Sequence, residues 1–192
     1  MYEGMRNTMA KVYIFLANGY EEIEGLTVVD LLRRAGVEVV MVSITGDIFI
    51  TGAHKIITKA DALFEDIDFS DADMLVLPGG MPGTNHLKMH EGLDHLLKDF
   101  GQKGKMLAAI CAAPSVLGSK GLLQGIKATC YPGHEEALIG AYIKNQSVVE
   151  DGNFITSKGA GTAIDFSLSL IKNLVGESEA VKLAQAIQYD HY

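Results

Sequence analysis

The stretch KMLAAICAAPSVLG, from Lys105 to Gly118, joins a short apolar run to a helix-forming segment at a single cysteine, Cys111. This layout predicts a strand, a sharp turn that carries the thiol, and a helix. Free backbone N–H groups and the positive end of a helix dipole favour a thiolate at such a turn and can lower a cysteine pKa from ~8.5 to about 3.5–7.5. The position therefore suits a nucleophile or a redox sensor. The alternative is a strand-end cysteine that only packs, because free cysteines are among the most buried residues.

Short apolar runs alternate with helix-like segments on both sides of this stretch. The runs rich in β-branched residues are KVYIFL, VEVVMVSI, DMLVLP and KMLAAI, and EEIEGLTVVDLLRRAG between the first two has helical spacing. Such alternation is typical of an α/β fold with a mostly parallel sheet that is covered on both faces. Further strands are predicted as a hairpin excursion over 48–58, at 127–131, and as a pair over 146–157 that turns at Asp151-Gly152. Further helices are predicted at 92–100, from Cys111 to Ser119, and at 134–142, 161–175 and 177–188.

Composition restricts the classes of function. The chain has 192 residues and a formal net charge of −8, which argues against binding to nucleic acid or anionic membranes and favours a small soluble substrate. No apolar run is long enough to cross a membrane. The two cysteines form no CxxC pattern, so we expect neither a disulfide framework nor a metal site, and a cytoplasmic location. We predict a disordered leader at residues 1–10 and one domain over residues 11–192.

Three loops follow predicted parallel strands, where ligands of open α/β sheets bind. They are NGYEEIEG, PGGMPGT and the Cys111 turn. Glu22 and Glu24 lie two residues apart on the first helix, so they point to different sides and one of them could turn toward the sheet. A carboxyl that is buried there tends to stay protonated. Gly79 and Gly80 allow close backbone approach, and their N–H groups are candidates for an anion hole, although a tight turn alone also explains them.

The histidines and the second cysteine are weaker candidates. All six histidines lie in polar contexts that favour a solvated surface position: His54, His86, His90, His95, His134 and His191. His134 stands apart, because Tyr131-Pro132-Gly133-His134 follows a strand predicted beside the Cys111 element. Cys130, near the end of that strand, is expected to pack in the core.

Four motifs, GYEEIEG, LVLPGGMPG, AAICAAP and TSKGAGTAIDF, occur in the order and spacing of the DJ/ThiJ/PfpI superfamily, and the chain resembles that family from Lys11 to Gly176. The resemblance is to the branch that includes the parkinsonism-associated deglycase and bacterial YajL-like proteins. It implies a flavodoxin-like three-layer sandwich with a nucleophile-elbow cysteine, assembled as a homodimer.

The resemblance also implies roles for individual residues. Cys111 matches the reactive cysteine, Glu24 the carboxyl that hydrogen-bonds its sulfur, and Gly80 and Ala112 the two backbone donors of an oxyanion site. His54 falls where relatives often place an arginine that reaches the partner's site. Tyr131, His134 and Gly79 are further candidates for substrate contact.

Two departures from the family pattern affect the expected chemistry. Ala112 stands where the peptidase branch has a histidine, which argues against a peptidase triad. Tyr131 stands where the deglycase branch has a histidine, and a phenol is a poor base at neutral pH.

The leading hypothesis is a cofactor-free enzyme in which a Cys111 thiolate attacks glyoxals or their early adducts and forms a hemithioacetal. The alternative is an oxidative-stress sensor or chaperone without turnover. An intracellular peptidase and a role in thiamine-thiazole biosynthesis are less well supported.

Overall fold

The predicted alternation of strands and helices is present in the computed structural model, which describes residues 9–192. The strands are β1 Lys11–Leu16, β2 Glu38–Ser43, β3 Phe49–Thr51, β4 Ile57–Lys59, β5 Ala62–Leu63, β6 Met74–Leu77, β7 Met106–Ile110, β8 Lys127–Ala128, β9 Tyr142–Ile143, β10 Val148–Asp151 and β11 Phe154–Ser157. The helices are α1 Glu22–Arg34, α2 Gly83–Met89, α3 Glu91–Gln102, α4 Pro114–Ser119, α5 Ala163–Val175 and α6 Glu177–Ala186. Short 3₁₀ turns lie at Phe64–Asp66, Phe69–Asp71, Glu135–Ala137 and Ala160–Thr162.

The predicted leader lies outside the described residues except for Met9 and Ala10. The carbonyl oxygen of Ala10 accepts a hydrogen bond from Glu38 N at 2.9 Å, so the chain joins the sheet immediately before β1. No helix within residues 9–192 combines the length and the apolar character that a membrane crossing requires.

A seven-stranded sheet forms the middle layer, with the order β10-β11-β7-β6-β1-β2-β5. Neighbouring strands are parallel throughout except for β10 and β11, which form an antiparallel pair. The register places Leu77 of β6 opposite Ala109, and Ser157 of β11 opposite Ile110. The carboxyl ends of β6, β7 and β11 therefore lie side by side, and the loops that follow them meet at one edge of the sheet.

Helices cover both faces of the sheet, as the sequence predicted. In β1, Ile14 faces a core that includes Leu32 of α1 and Phe166 of α5, whereas Phe15 faces the opposite core with Leu97 of α3. All five of these side chains are fully buried. Burying such a side chain contributes about 1.5–3 kcal/mol, so the two cores hold the sheet edge rigidly in place.

Both predicted hairpins are confirmed. Strands β3 and β4 pair antiparallel beside the main sheet, with Thr51 opposite Ile57. Strands β10 and β11 turn at Asp151-Gly152, where Gly152 has φ 59°. An Asp-Gly pair favours such a turn because glycine adopts positive φ without steric cost.

Two predicted elements are wrong in length or type. The strand predicted over 127–131 extends only from Lys127 to Ala128, and the helix predicted over 134–142 is a single 3₁₀ turn followed by β9. A Cβ atom on Gly118 of α4 would lie 2.4 Å from the carbonyl oxygen of Ala137, so this segment packs backbone against α4. Close packing along α4 replaces the helix that local propensity favours. Helix α2 was not predicted, because its sequence follows directly from a glycine-rich loop.

Candidate active site

Cys111 occupies a sharp bend between β7 and α4. Its φ is 64°, a left-handed conformation that costs a non-glycine residue roughly 1–2 kcal/mol. The bend is fixed on both sides, because Cys111 N donates to Ser157 O at 2.9 Å and Cys111 O accepts from Tyr131 N at 2.8 Å. Pro114 then begins α4, in the first-turn position that proline favours. The predicted strand–turn–helix elbow is therefore present, with the thiol half-buried.

The glycine pair after β6 lies against this bend. A Cβ atom on Gly79 would be 2.6 Å from Cys111 Cβ and 2.6 Å from Glu24 Oε2, so only a glycine lets the three residues come together. Gly80 has φ 88°, and a Cβ atom there would lie 2.3 Å from Glu21 N. The N–H groups of Gly80 and Ala112 are directed at the Cys111 sulfur, where they act to lower the thiol pKa.

We expect Gly79→Ala to destabilise the protein by about 1–3 kcal/mol, the usual cost of overpacking a closely packed site. The added methyl group would press on Cys111 and Glu24, so alkylation of Cys111 should also slow. Urea unfolding and iodoacetamide kinetics measure the two effects. Gly161→Ala is the matched control, because a Cβ atom on Gly161 meets no atom within 4 Å. Equal stability of the two variants would contradict the close contact.

Glu24 is the carboxyl that faces the thiol. Its side chain is 1% exposed, and Oε2 accepts a hydrogen bond from Gly79 N at 2.8 Å. Oε1 has no hydrogen-bond partner within residues 9–192. Burial raises the pKa of Glu24 to about 7, even though the contacts with Cys111 and Gly79 act to lower it. A carboxyl with one unbonded, buried oxygen is better suited to carry a proton than a charge.

The electrostatics at Cys111 differ from the expectation based on the turn alone. Burial and the neighbouring charge of Glu24 raise the pKa of the thiol to about 12, against the lowering effect of the two N–H donors. The turn was expected to lower this pKa, but that expectation did not include desolvation of the sulfur. Two negative charges cannot both be accommodated here, so Cys111 and Glu24 share one proton over a wide pH range. A thiolate therefore requires Glu24 to hold that proton.

Glu22 turns away from the sulfur and supports the β3–β4 hairpin. Its Oε1 accepts from His54 N at 2.8 Å, and its Oε2 lies 3.0 Å from His54 Nδ1. Burial alone would raise the pKa of Glu22, but the His54 ring and backbone donors outweigh it, so the net pKa is lowered. The same contact raises the pKa of His54. His54 thus contacts Glu22 and, at 3.6 Å, Glu21, rather than Cys111.

Glu21, Glu22 and His54 also form the one convergent group of potential metal ligands within residues 9–192, with ligand atoms within 4.8 Å of one another. Oε1 of Glu22 already accepts N–H hydrogen bonds from His54 and Ile56, and Oε2 pairs with the His54 ring, which accounts for the position of Glu22 without an ion.

Tyr131 and His134 lie on the outer side of the site. The two rings make an edge-on contact with centroids 6.4 Å apart, and Tyr131 is 52% exposed. Gly159, which sequence reasoning did not single out, completes this side: a Cβ atom on it would lie 3.2 Å from Tyr131 Cδ2 and 3.9 Å from Cys111 Sγ. The motif TSKGAGT contained the signal, but only the fold shows which of its glycines reaches the sulfur.

Comparisons with known proteins show the family and the fold of the chain. Residues 10–173 match the DJ-1/PfpI family. The chain is 39% identical over 182 residues to protein DJ-1 homolog B of Arabidopsis thaliana. The aligned region covers 94% of this chain but 42% of the plant protein, so this chain spans less than half of that relative. The chain is also 31% identical over 166 residues to a protein named deglycase in Pyrococcus abyssi. That alignment covers 85% of this chain and 99% of the archaeal protein. The structure of oxidized Toxoplasma gondii DJ-1 superposes with a TM-score of 0.91 and 36% identity, covering 95% of this chain and all of that one.

Proposed function

The chain belongs to the DJ-1/PfpI family, and on that premise we propose that it is a cysteine-dependent enzyme acting on reactive carbonyl compounds such as glyoxals or their early adducts. One observation carries the proposal. The Cys111 thiol lies on a strained bend, and the Glu24 carboxyl, which can hold a proton, faces its sulfur together with two backbone N–H donors. Acyl-type and carbonyl addition chemistry needs this set: a nucleophile, a proton carrier and donors for a developing oxyanion.

With methylglyoxal, the Cys111 thiolate attacks the aldehyde carbon, so that a C–S bond forms and the carbonyl π electrons move to oxygen. The N–H groups of Gly80 and Ala112 stabilise that oxyanion, which takes the proton held by Glu24 to give a hemithioacetal. The Glu24 carboxylate then removes the hydrogen of the former aldehyde carbon as a proton and returns it to the neighbouring carbon. The hydroxyl proton of the hemithioacetal passes to the former ketone oxygen, which gives the thioester of lactate. Hydrolysis by water releases lactate and restores the thiol. The aldehyde carbon is oxidised and the adjacent ketone carbon is reduced, so no external oxidant is consumed.

The name of the Pyrococcus abyssi relative supports deglycase-type chemistry for this chain. Two other activities have less support. Ala112 follows the cysteine directly, so a peptidase would lack its adjacent histidine. The glycine loop that begins at Pro78 contains no lysine, so a phosphate-bearing thiamine precursor would lack a charged partner there.

The test is lactate formation from methylglyoxal by the purified chain without added cofactor. We expect turnover that falls in proportion to the fraction of Cys111 alkylated by iodoacetamide, as measured by peptide mass spectrometry. Turnover that survives complete alkylation, or no lactate at all, would remove the proposed reaction.

A redox function is the second candidate, and the structure of an oxidized Toxoplasma gondii relative favours it. A protonated Glu24 donating to a Cys111 sulfinate would stabilise the oxidised form. Intact-mass measurement after mild peroxide distinguishes the two functions in part. A gain of two oxygens confined to Cys111, together with an absence of glyoxal turnover, favours sensing.

We also propose that the chain forms a homodimer. Exposed apolar side chains lie on α1 and on the hairpin that Glu22 fastens to it, namely Ile23, Phe49, Ile56 and Ile57. A patch of this kind on neighbouring elements suits an isologous contact with a second copy. Sedimentation analysis of the wild-type protein and of Ile57→Glu tests this, and a monomeric wild-type protein would refute it.

A further inference from the structure

Gly159 and the ring of Tyr131 lie next to each other beside the Cys111 sulfur, and we call them the two walls of this part of the site. The Cα atom of Gly159 directs its missing Cβ toward both, 3.2 Å from Tyr131 Cδ2 and 3.9 Å from Cys111 Sγ. Any side chain at residue 159 would therefore enter the gap between the Tyr131 ring and the Cys111 sulfur. The absence of a side chain keeps that gap open.

The Gly159 wall is rigid. Thr162 N donates to Gly159 O at 2.8 Å, and Gly159 N donates to Thr162 Oγ1 at 3.2 Å. The Thr162 hydroxyl is in turn 2.7 Å from Ser157 Oγ, at the end of β11 next to Cys111. Gly159 is buried and its φ of 164° is ordinary extended backbone, so an alanine there meets no conformational penalty.

The hydrogen bond of Tyr131 to the Cys111 bend is made by its backbone, and its ring contacts only the edge of the His134 ring among the aromatic side chains of residues 9–192. Tyr131 N donates to Cys111 O at 2.8 Å, which fixes the Cα position, while the residue is 52% exposed. A new methyl group on residue 159 would displace this ring by a few tenths of an ångström, and it would also occupy space beside the sulfur. The gap can thus be narrowed from the Gly159 side and widened from the Tyr131 side.

We propose that Gly159 is a specificity-determining residue, which with Tyr131 sets the size of the substituent that a carbonyl compound can carry when it reaches Cys111. The substrates that this gap would distinguish are α-oxoaldehydes that differ in the size of the group on the ketone carbon, from methyl to a planar aryl group. This inference rests on the proposed carbonyl chemistry for its substrate. The gap between Gly159 and Tyr131, however, concerns only access to the Cys111 thiol.

The first test measures access without turnover. Cys111 is alkylated by iodoacetamide and by its N-phenyl derivative, which share one reaction and differ in bulk, and the rates are followed by peptide mass. We expect Gly159→Ala to slow the N-phenyl reagent by about tenfold relative to iodoacetamide, the usual effect of one carbon in a close-fitting pocket. Gly161→Ala, two residues away in open space, should leave the ratio unchanged. A ratio in Gly159→Ala equal to that of the wild-type protein would overturn the inference.

Tyr131→Ala gives an independent reading from the opposite wall. Removing the ring should raise the relative rate of the N-phenyl reagent, and Tyr131→Phe, which keeps the ring, should not. If Gly159→Ala fails to fold, the comparison of Tyr131→Ala with Tyr131→Phe tests the inference instead. An unchanged ratio of the two alkylation rates in Tyr131→Ala would refute the role of the gap.

The second test compares turnover of methylglyoxal and phenylglyoxal. We expect Gly159→Ala to lower kcat/KM for phenylglyoxal about tenfold more than for methylglyoxal. Equal losses for both substrates would refute a specificity role. A further outcome is that Gly159→Ala alters the ratio of the two alkylation rates in a protein that turns over neither glyoxal. That result would refute the proposed function but would support the role of the gap in access to Cys111.

Discussion

Cys111→Ala is expected to lower kcat/KM for methylglyoxal by about a thousandfold or more, because removing the nucleophile removes the covalent step rather than slowing it. Alanine keeps the Cβ atom and hence the same backbone strain at φ 64°, so the variant should fold like the wild-type protein. Lactate formation under saturating and subsaturating methylglyoxal measures the loss, and circular dichroism confirms the fold.

Cys130→Ala is the matched control for this prediction. Cys130 is 4% exposed and packs in the core on the far side of the sheet, with Leu138 among the residues of that cluster. Burial raises the pKa of its thiol to about 11, and the buried position leaves a substrate little access to its sulfur, whereas Cys111 is only half-buried. We expect this variant to keep kcat/KM within about threefold of the wild-type value and to lose some stability. Comparable losses in both variants would contradict the assignment of Cys111 as the single nucleophile.

The elements whose signal is local were predictable from the sequence. The β-branched runs around Ile14 and Val76 and the helical spacing of α1 predict a parallel sheet covered by helices, and the apolar run that stops at Cys111 predicts the elbow. Each of these patterns depends on neighbours within a few residues, which is why the structure confirms them.

The features that depend on distant segments were not predictable. Residue spacing could not decide between Glu22 and Glu24, because the choice is made by the hairpin donors of His54 and by the approach of Gly79. The significance of Gly159 depends on β11 and the Tyr131 loop meeting at one point. The direction of the Cys111 pKa shift depends on how much water the finished fold excludes, which no local motif records.

Glu24→Gln is expected to shift the pH profile of Cys111 alkylation upward. In the wild-type protein the thiol and carboxyl both hold protons below pH about 7, and between about 7 and about 12 they share one proton. Only the shared-proton form can contain a thiolate, so the alkylation rate should rise with a midpoint near 7. In Glu24→Gln no carboxyl accepts the proton, and burial still holds the thiol pKa above its ordinary value of about 8.5. At pH 7 the two proteins should be alkylated at similar rates, and at pH 9 the variant should be alkylated faster, because it lacks the charge that raises the thiol pKa. Methylglyoxal turnover should still fall by about 10²–10⁴, because the proton carrier is lost. An unchanged midpoint would show that Glu24 does not share the proton.

The same variant should be more stable than the wild-type protein at alkaline pH, which separates loss of function from loss of fold. Because the folded state raises the pKa of Glu24 from 4.5 to about 7, it binds this proton more tightly than the unfolded chain, and stability falls as pH rises from 4.5 through 7. Glutamine has no proton to lose, so Glu24→Gln should gain about 1–3 kcal/mol over the wild-type protein at pH 8 and little at pH 5.

Glu22→Gln should show the opposite sign, because the folded state lowers the pKa of Glu22 and its charge stabilises the fold above pH 4.5. Urea unfolding of both variants at pH 5 and pH 8 tests the pair. A loss of stability at pH 8 in both Glu24→Gln and Glu22→Gln would mean that the charged form of Glu24 does not destabilise the fold. Glu24 would then not share a proton with Cys111, and the proposed chemistry would lose its proton carrier.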